Sequence, residues 1–322
     1  MKKGLGFKSL CVLFTLVLFF AFSANVFARG SDDTEVENPQ VGLVMKSLAN
    51  EFFKTMEEGA WKFEAEHGGF DLQCVGMNSE TDIDTQMAAM ESFITQDMDI
   101  IVLAPADSVG LVPFVKRALD ADIVVVNFDV TLNKEALAEN GLPKDFLFVG
   151  PDNADGSEIV GDYLGEQLGA GGKVIIIEGN PGADNAQQRK TGFERSIATY
   201  NMELLTSVTA HWETEEANTV MTNLLTKFPE VEGVMCANDS MVLGVVKALE
   251  AAGRDDVLVV GFDNIGAVQQ LIKEGKVLAT IDQFGPEMAA NAIKIGLRIL
   301  DGETLSGWEK TPIKLVTIDD LQ

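Results

Sequence analysis

Between residues 41 and 318 the chain alternates short apolar, β-branched runs with stretches of helical periodicity, and it does so in two rounds. The first round reads Val41 to Met45, Asp71 to Val75, Ile100 to Leu103, Ile123 to Phe128 and Phe146 to Val149. Helical patterns run to His67, over 85–96 and over 109–121, and residues 130–145 read as a long polar loop. Gly150-Pro151 marks a break. The second round has strand-like runs at Lys173 to Glu178, Glu203 to Thr209, Gly233 to Cys236, Val257 to Phe262, Val277 to Ile281 and around Ile313 to Ile318. Helical patterns lie between them over 154–168, through Arg189 to Tyr200, and over 215–228, 241–252 and 286–300. Such alternation predicts an α/β fold, parallel sheets with helices on both faces. Two rounds predict two similar lobes.

In folds of this kind ligands sit at the carboxyl ends of the strands. The first strand runs into Lys46-Ser-Leu-Ala-Asn50-Glu-Phe52-Phe53, which offers a cation, an amide and two aromatic rings. Asp129, Asn238, Asp263 and Gln283 end later strands, and Arg189 lies on a helix facing the same loops. Sugar hydroxyls both donate and accept, so carboxylates and amides on one side and cations on the other suit them. Phe53 and Trp212 can cover the C–H faces of a pyranose. Each residue also has a plain structural reading. Asn50, Asp239 and Asn264 can cap helices, Asp129 can fix a turn, Arg189 can pair with Glu194, and Lys46 can be a solvated strand end. Amides and acids ending most strands of both rounds favour a shared site.

At the start, Lys2, Lys3 and Lys8 precede an apolar run from about Leu10 to Phe22 and a Val26-Phe27-Ala28 cleavage site. Residues 1–28 are expected to be a cleaved secretion signal, and 29–39 a flexible leader. The formal charge is −26, and loss of those three lysines makes it −29. A surface so acidic repels nucleic acid and anionic lipid. Cys74 and Cys236 remain as two expected buried thiols. His67 and His211 have no second ligand at metal-binding spacing, so neither metal nor cofactor is expected.

The motifs at 46–53, Asn127-Phe-Asp129, Glu178-Gly-Asn-Pro-Gly182, Arg189-Lys-Thr-Gly-Phe193, His211-Trp212, Cys236-Ala-Asn-Asp239, Val259-Val-Gly-Phe-Asp263 and Ala279-Thr-Ile-Asp-Gln283 occur in an order and spacing that resembles the periplasmic sugar-binding proteins of ABC importers, in particular the ribose- and allose-binding group. The resemblance covers nearly everything after the leader. It implies two doubly wound, Rossmann-like lobes joined by three crossovers near Pro151, Gln283 and Pro312. Residues 40–151 with 284–312 would form the N-terminal lobe, and 152–283 with 313–322 the C-terminal one. It carries sugar-contact roles onto Asn50, Phe52, Phe53, Asp129, Arg189, Trp212, Asn238, Asp263 and Gln283, with Lys46 resembling the allose binders. One position departs. Val130 stands where the ribose binders have an arginine and the allose binder an acid, so a charged group is absent there.

The function so implied is capture of a monosaccharide, polyol or amino sugar in the periplasm by a monomer that closes over it and delivers it to an ABC permease. A chemoreceptor or sensor kinase is an equally compatible partner. An enzyme is disfavoured: the chain has no Gly-x-Ser-x-Gly elbow and no phosphate loop, and its Gly169-Ala-Gly-Gly172 cluster precedes a strand instead of following one. A transcription regulator, which shares this two-lobed core, would carry a DNA-binding headpiece where this chain has its signal.

Overall fold

The computed structural model describes residues 38–322; the expected secretion signal and nearly all of the leader lie outside the described residues. The first round of alternation builds β1 (Gln40–Ser47), α1 (Glu51–His67), β2 (Asp71–Met77), α2 (Ile83–Thr95), β3 (Ile100–Leu103), α3 (Val112–Asp120), β4 (Val124–Phe128), α4 (Lys134–Glu139) and β5 (Phe148–Gly150). The second gives α5 (Asn153–Leu168), β6 (Lys173–Glu178), α6 (Asp184–Thr199), β7 (Glu203–Thr209), α7 (Thr214–Lys227), β8 (Gly233–Cys236), α8 (Asp239–Ala252), β9 (Leu258–Val260), α9 (Gly266–Lys273) and β10 (Thr280–Asp282). The chain then forms α10 (Gly285–Leu300), β11 (Trp308–Lys310) and β12 (Lys314–Val316).

Two sheets result. The first has the order β11-β5-β4-β3-β1-β2, all parallel, and the second β7-β6-β8-β9, also parallel. A bridge from Val260 to Ala279 carries the second sheet on towards β10, where β12 pairs antiparallel. That last pair departs from an all-parallel expectation. The reason is chain direction: the tail returns from the first lobe and meets β10 head to tail.

Period-2 alternation decides which residues meet which helices. In β1, Leu43 and Met45 share one core with Phe53, Met56 and Ala60 of α1, while Val44 packs in the other with Met90 and Phe93 of α2 and Val115 of α3. With both faces covered, β3 is buried at every position, as parallel strands are.

The chain passes between the sheets three times, between β5 and α5, between β10 and α10, and between β11 and β12. Two elements were not expected. Residues 130–145 are not all loop, because Asn133 accepts from the Ala136 N–H and nucleates α4. The strand β11 is exposed at each residue and lies at the sheet edge, so it carries no apolar pattern. Cys74 and Cys236 are free thiols on β2 and β8; Cys236 is buried as expected, whereas Cys74 is only partly buried, its thiol pushed up to about 12 by loss of water and by Glu57 and Glu64 nearby.

Candidate functional site

The carboxyl ends of β1, β4, β8 and β10, and the loops that follow β7 and β9, converge between the lobes. One pocket there is lined by Lys46, Asn50, Phe52, Phe53, Asp129, Asn185, Arg189, Trp212, Asn238, Asp263 and Gln283. All ten residues singled out from the sequence are therefore brought together. The free space left among these side chains is about 10 Å³, on the order of one water-sized sphere. The lobes are shut tightly on this pocket, and a ligand larger than water enters only if they part.

From the first lobe, Asn50 does two structural tasks at once. Its Oδ1 caps α1 by accepting from the Phe52 N–H at 3.0 Å, and its Nδ2 donates to Glu80 Oε1 at 2.9 Å. Lys46 is no solvated strand end: it is 3 % exposed and pairs with Glu80 at 2.9 Å. Its ammonium lies 5.1 Å from the Phe53 ring and 5.2 Å from that of Trp212, within reach of cation–π attraction. Phe52 and Phe53 meet edge to face at 5.2 Å.

From the second lobe, Arg189 is buried with no surface acid near it. Its Nε donates to Asn153 at 2.8 Å, and one η nitrogen donates to the Ala237 carbonyl at 2.8 Å and reaches Asp263 at 3.5 Å. The other η nitrogen has no partner among the described residues and is left for the pocket. Beneath the guanidinium lies Phe262, 3.7 Å from its ring centre. Asn238, not Asp239, caps α8: its Oδ1 accepts from the Met241 N–H, which leaves the amide NH₂ as a donor. Asp239 instead lies below the site, accepting from the Thr280 hydroxyl and the Ile265 N–H. Nor does Asn264 cap α9, since its amide donates to Asp282.

Three features set this pocket apart. First, four of its buried polar atoms have no partner among the described residues: Asp129 Oδ2, Asn185 Oδ1, Trp212 Nε1 and Gln283 Oε1. Leaving such atoms unpaired costs about 1–3 kcal/mol each, so a cluster of them marks where a ligand's own polar groups belong. Secondly, Asp129, Trp212 and Asp263 have positive φ, 63°, 70° and 126°. Non-glycine residues pay for that conformation, and it gathers where function holds it. Thirdly, burial pushes the Asp129 carboxyl up to about 6, against the pull of Lys46 and Arg189. Asp263 is also raised by burial, with Arg189 opposing, and Arg189 is lowered by the same loss of water.

Five hydrogen bonds close the lobes around the pocket. Gly266 N–H donates to Glu51 at 2.9 Å, Glu80 N–H to Glu213 at 2.8 Å, Ser108 N–H to the Gly182 carbonyl at 2.9 Å, Asp184 N–H to the Ser108 hydroxyl at 2.9 Å, and the Thr131 hydroxyl to Asp184. Val130 is buried yet outside the lining, its carbonyl held by Asn127. Asn185 and Glu80 were missed from sequence. Asn185 lies four residues before Arg189, hence on the same helical face; Glu80 follows β2, in a loop at the carboxyl edge of the sheet.

Two doubly wound lobes closed over a polar, aromatic-walled pocket are the architecture of type I periplasmic binding proteins. The chain belongs to the periplasmic binding protein domain family, whose model matches residues 41–304; this is a family of binding proteins. It is 44% identical over 289 residues to the D-ribose/D-allose-binding protein of Pseudomonas aeruginosa, covering 87% of this chain and 89% of that one. Among solved structures, an ABC transporter solute-binding protein of Burkholderia multivorans, with an unknown ligand represented as α-D-erythrofuranose, matches with a TM-score of 0.83 at 42% identity over 87% of this chain and 99% of its own. One from Actinobacillus succinogenes with bound D-allose matches with a TM-score of 0.83 at 34% identity over 88% and 99%.

Proposed function

We propose that the protein is a secreted solute-binding protein that captures one monosaccharide, of ribose or allose type, by closure of its two lobes and delivers it to an ABC permease. The observation that carries this reading is the set of four unpartnered buried polar atoms, drawn from both lobes, beside Phe53 and Trp212. A polyhydroxylated ring satisfies acceptors and donors together and offers C–H faces to the aromatics. The 44% identical relative binds ribose and allose by name, which supports the same class of ligand. Asn50, Asp129, Arg189, Asn238, Asp263 and Gln283 would hold hydroxyls, and Phe52, Phe53 and Trp212 the ring. Secretion would follow cleavage after Ala28, leaving a monomer that binds its sugar and does not transform it.

A second reading is favoured by one feature. Lys46 is matched by Glu80 and Arg189 faces Asp263, which leaves the Asp129 charge over; an amino sugar would neutralise it. Thermal melting of residues 29–322 against aldopentoses, aldohexoses, polyols, inositols and amino sugars tests both. A ligand at 100 times its Kd adds about 2.7 kcal/mol. A shift with D-ribose or D-allose supports the main reading, and one with amino sugars alone supports the second. No shift with any sugar, after unfolding and refolding to strip carried-over ligand, rejects both. Pull-down from membrane extracts with and without sugar separates a permease partner from a chemoreceptor or sensor kinase.

A further inference from the structure

The sequence lacks a charged group at position 130, and the structure shows that this position does not face the pocket at all. What stands nearby comes from the other lobe. The Thr131 hydroxyl donates to Asp184, and the Asp184 N–H donates to Ser108, so the first turn of α6 is seated against the loop that follows Asp129. Asn185 is the next residue of that turn. It is 4 % exposed, lines the pocket, and its side chain makes no hydrogen bond among the described residues; Oδ1 is one of the four buried polar atoms without a partner.

We infer that Asn185 is a specificity-determining residue, reading one ligand hydroxyl with its amide from the second lobe as the lobes shut. This rests on the sugar-binding reading above and deepens it. An amide can accept from a hydroxyl through Oδ1 and donate to the same or an adjacent oxygen through Nδ2, so it recognises a hydroxyl without demanding charge. Its neighbour Asp129 offers Oδ2 as a second acceptor. A site built to bond a hydroxyl rejects the analogue that lacks it, because its own buried polar atom is then stranded. Since the contact is completed only when α6 swings against the first lobe, it acts on ligand release more than on encounter.

The test is calorimetry on wild type, Asn185→Ala and Asn185→Ser with D-ribose, 2-deoxy-D-ribose, D-allose and the monodeoxy analogues of D-allose. Wild type is expected to prefer a parent sugar over one particular deoxy analogue by about tenfold or more. Asn185→Ala should weaken the parent by a similar factor, leave that one analogue nearly unchanged, and so bring the ratio close to one; Asn185→Ser should restore part of it. Melting temperatures of the sugar-free proteins should agree, which separates recognition from folding. An equal loss for the parent and every deoxy analogue, or no loss for any, overturns the role of Asn185 while the sugar reading stands. Failure of wild type to bind any of these probes overturns the ribose- or allose-type reading and this inference with it.

Discussion

Trp212 shows how much one side chain is asked to do. It is 3 % exposed, held at φ 70°, within 5.5 Å of the Arg189 guanidinium, and its indole lies where any Cβ on Gly179 would sit, about 2.0 Å away. Trp212→Ala is expected to weaken sugar binding at least tenfold, about 1.4 kcal/mol or more, by removing one wall; an unchanged Kd in calorimetry would falsify that assignment. Asp239 carries a different prediction. It is fully buried inside the second lobe, and burial raises its carboxyl to about 7 despite the bonds from Thr280 and Ile265. The folded chain therefore holds this proton more tightly than the unfolded chain, whose aspartates titrate near 3.9. Stability from this group is greatest at low pH and falls as pH rises between those two values. Asp239→Asn should thus gain roughly 2–3 kcal/mol relative to wild type between pH 5 and pH 8, on top of any constant loss from the altered hydrogen bonds. Urea unfolding at the two pH values measures it, and a pH-independent difference would contradict the burial argument. At this scale the sequence was readable where a residue type is rare at a strand end, as with Asp263 and Gln283. It was ambiguous where one side chain serves two ends: Asn50 and Asn238 are both helix caps and pocket residues. Asn185 went unseen because the helical pattern was anchored on Arg189, one turn later.

The elements that place these residues are governed by their ends. The helix α6 has Ala183 at its N-cap, which can accept nothing, and the first lobe supplies the missing acceptor: Ser108 Oγ takes the Asp184 N–H. This cap exists only with the lobes closed. Removing a hydroxyl cap costs about 1 kcal/mol, so Ser108→Ala should loosen the closed complex and weaken sugar affinity by about fivefold, mainly through faster release. The melting temperature of the sugar-free protein should hardly move. Stopped-flow release that is unaltered in the variant would show that the cap contributes nothing to closure. The long helix α10 could be read from the sequence because its apolar face repeats over four turns, and β6 because Val174 to Ile177 is an unbroken apolar run. The short helix α4 was missed although Asn133 caps it, since six residues are too few to show a period. The strand β11 was missed because Trp308, Glu309 and Lys310 are all exposed and follow the pairing of β5, not any pattern of their own.

For the whole molecule, the question is whether the closed form stands alone. Four buried polar atoms without partners, at about 1–3 kcal/mol each, weigh against it. The five bonds across the cleft contribute about 0.5–1.5 kcal/mol each in favour. The two sums are comparable, with the unpaired atoms ahead, and burial of Asp129, Asp263 and Arg189 adds to the cost of closing. Three crossovers, each only a few residues long, give the lobes a hinge about which water can reach those groups. On the sugar-binding reading proposed above, a bound sugar is expected to reverse the balance, its hydroxyls partnering the stranded atoms only when both lobes hold it. None of this balance was visible in the sequence, which names the groups but not which of them remain unpaired after closure. The expected outcome is an open protein without sugar and a compact one with it. Small-angle X-ray scattering on residues 29–322 should show the radius of gyration falling on addition of saturating D-ribose or D-allose, whichever raises the melting temperature. If a sugar that binds leaves the scattering curve unchanged, the lobes are closed before binding, and the ligand must enter by a local opening instead of a swing of the lobes.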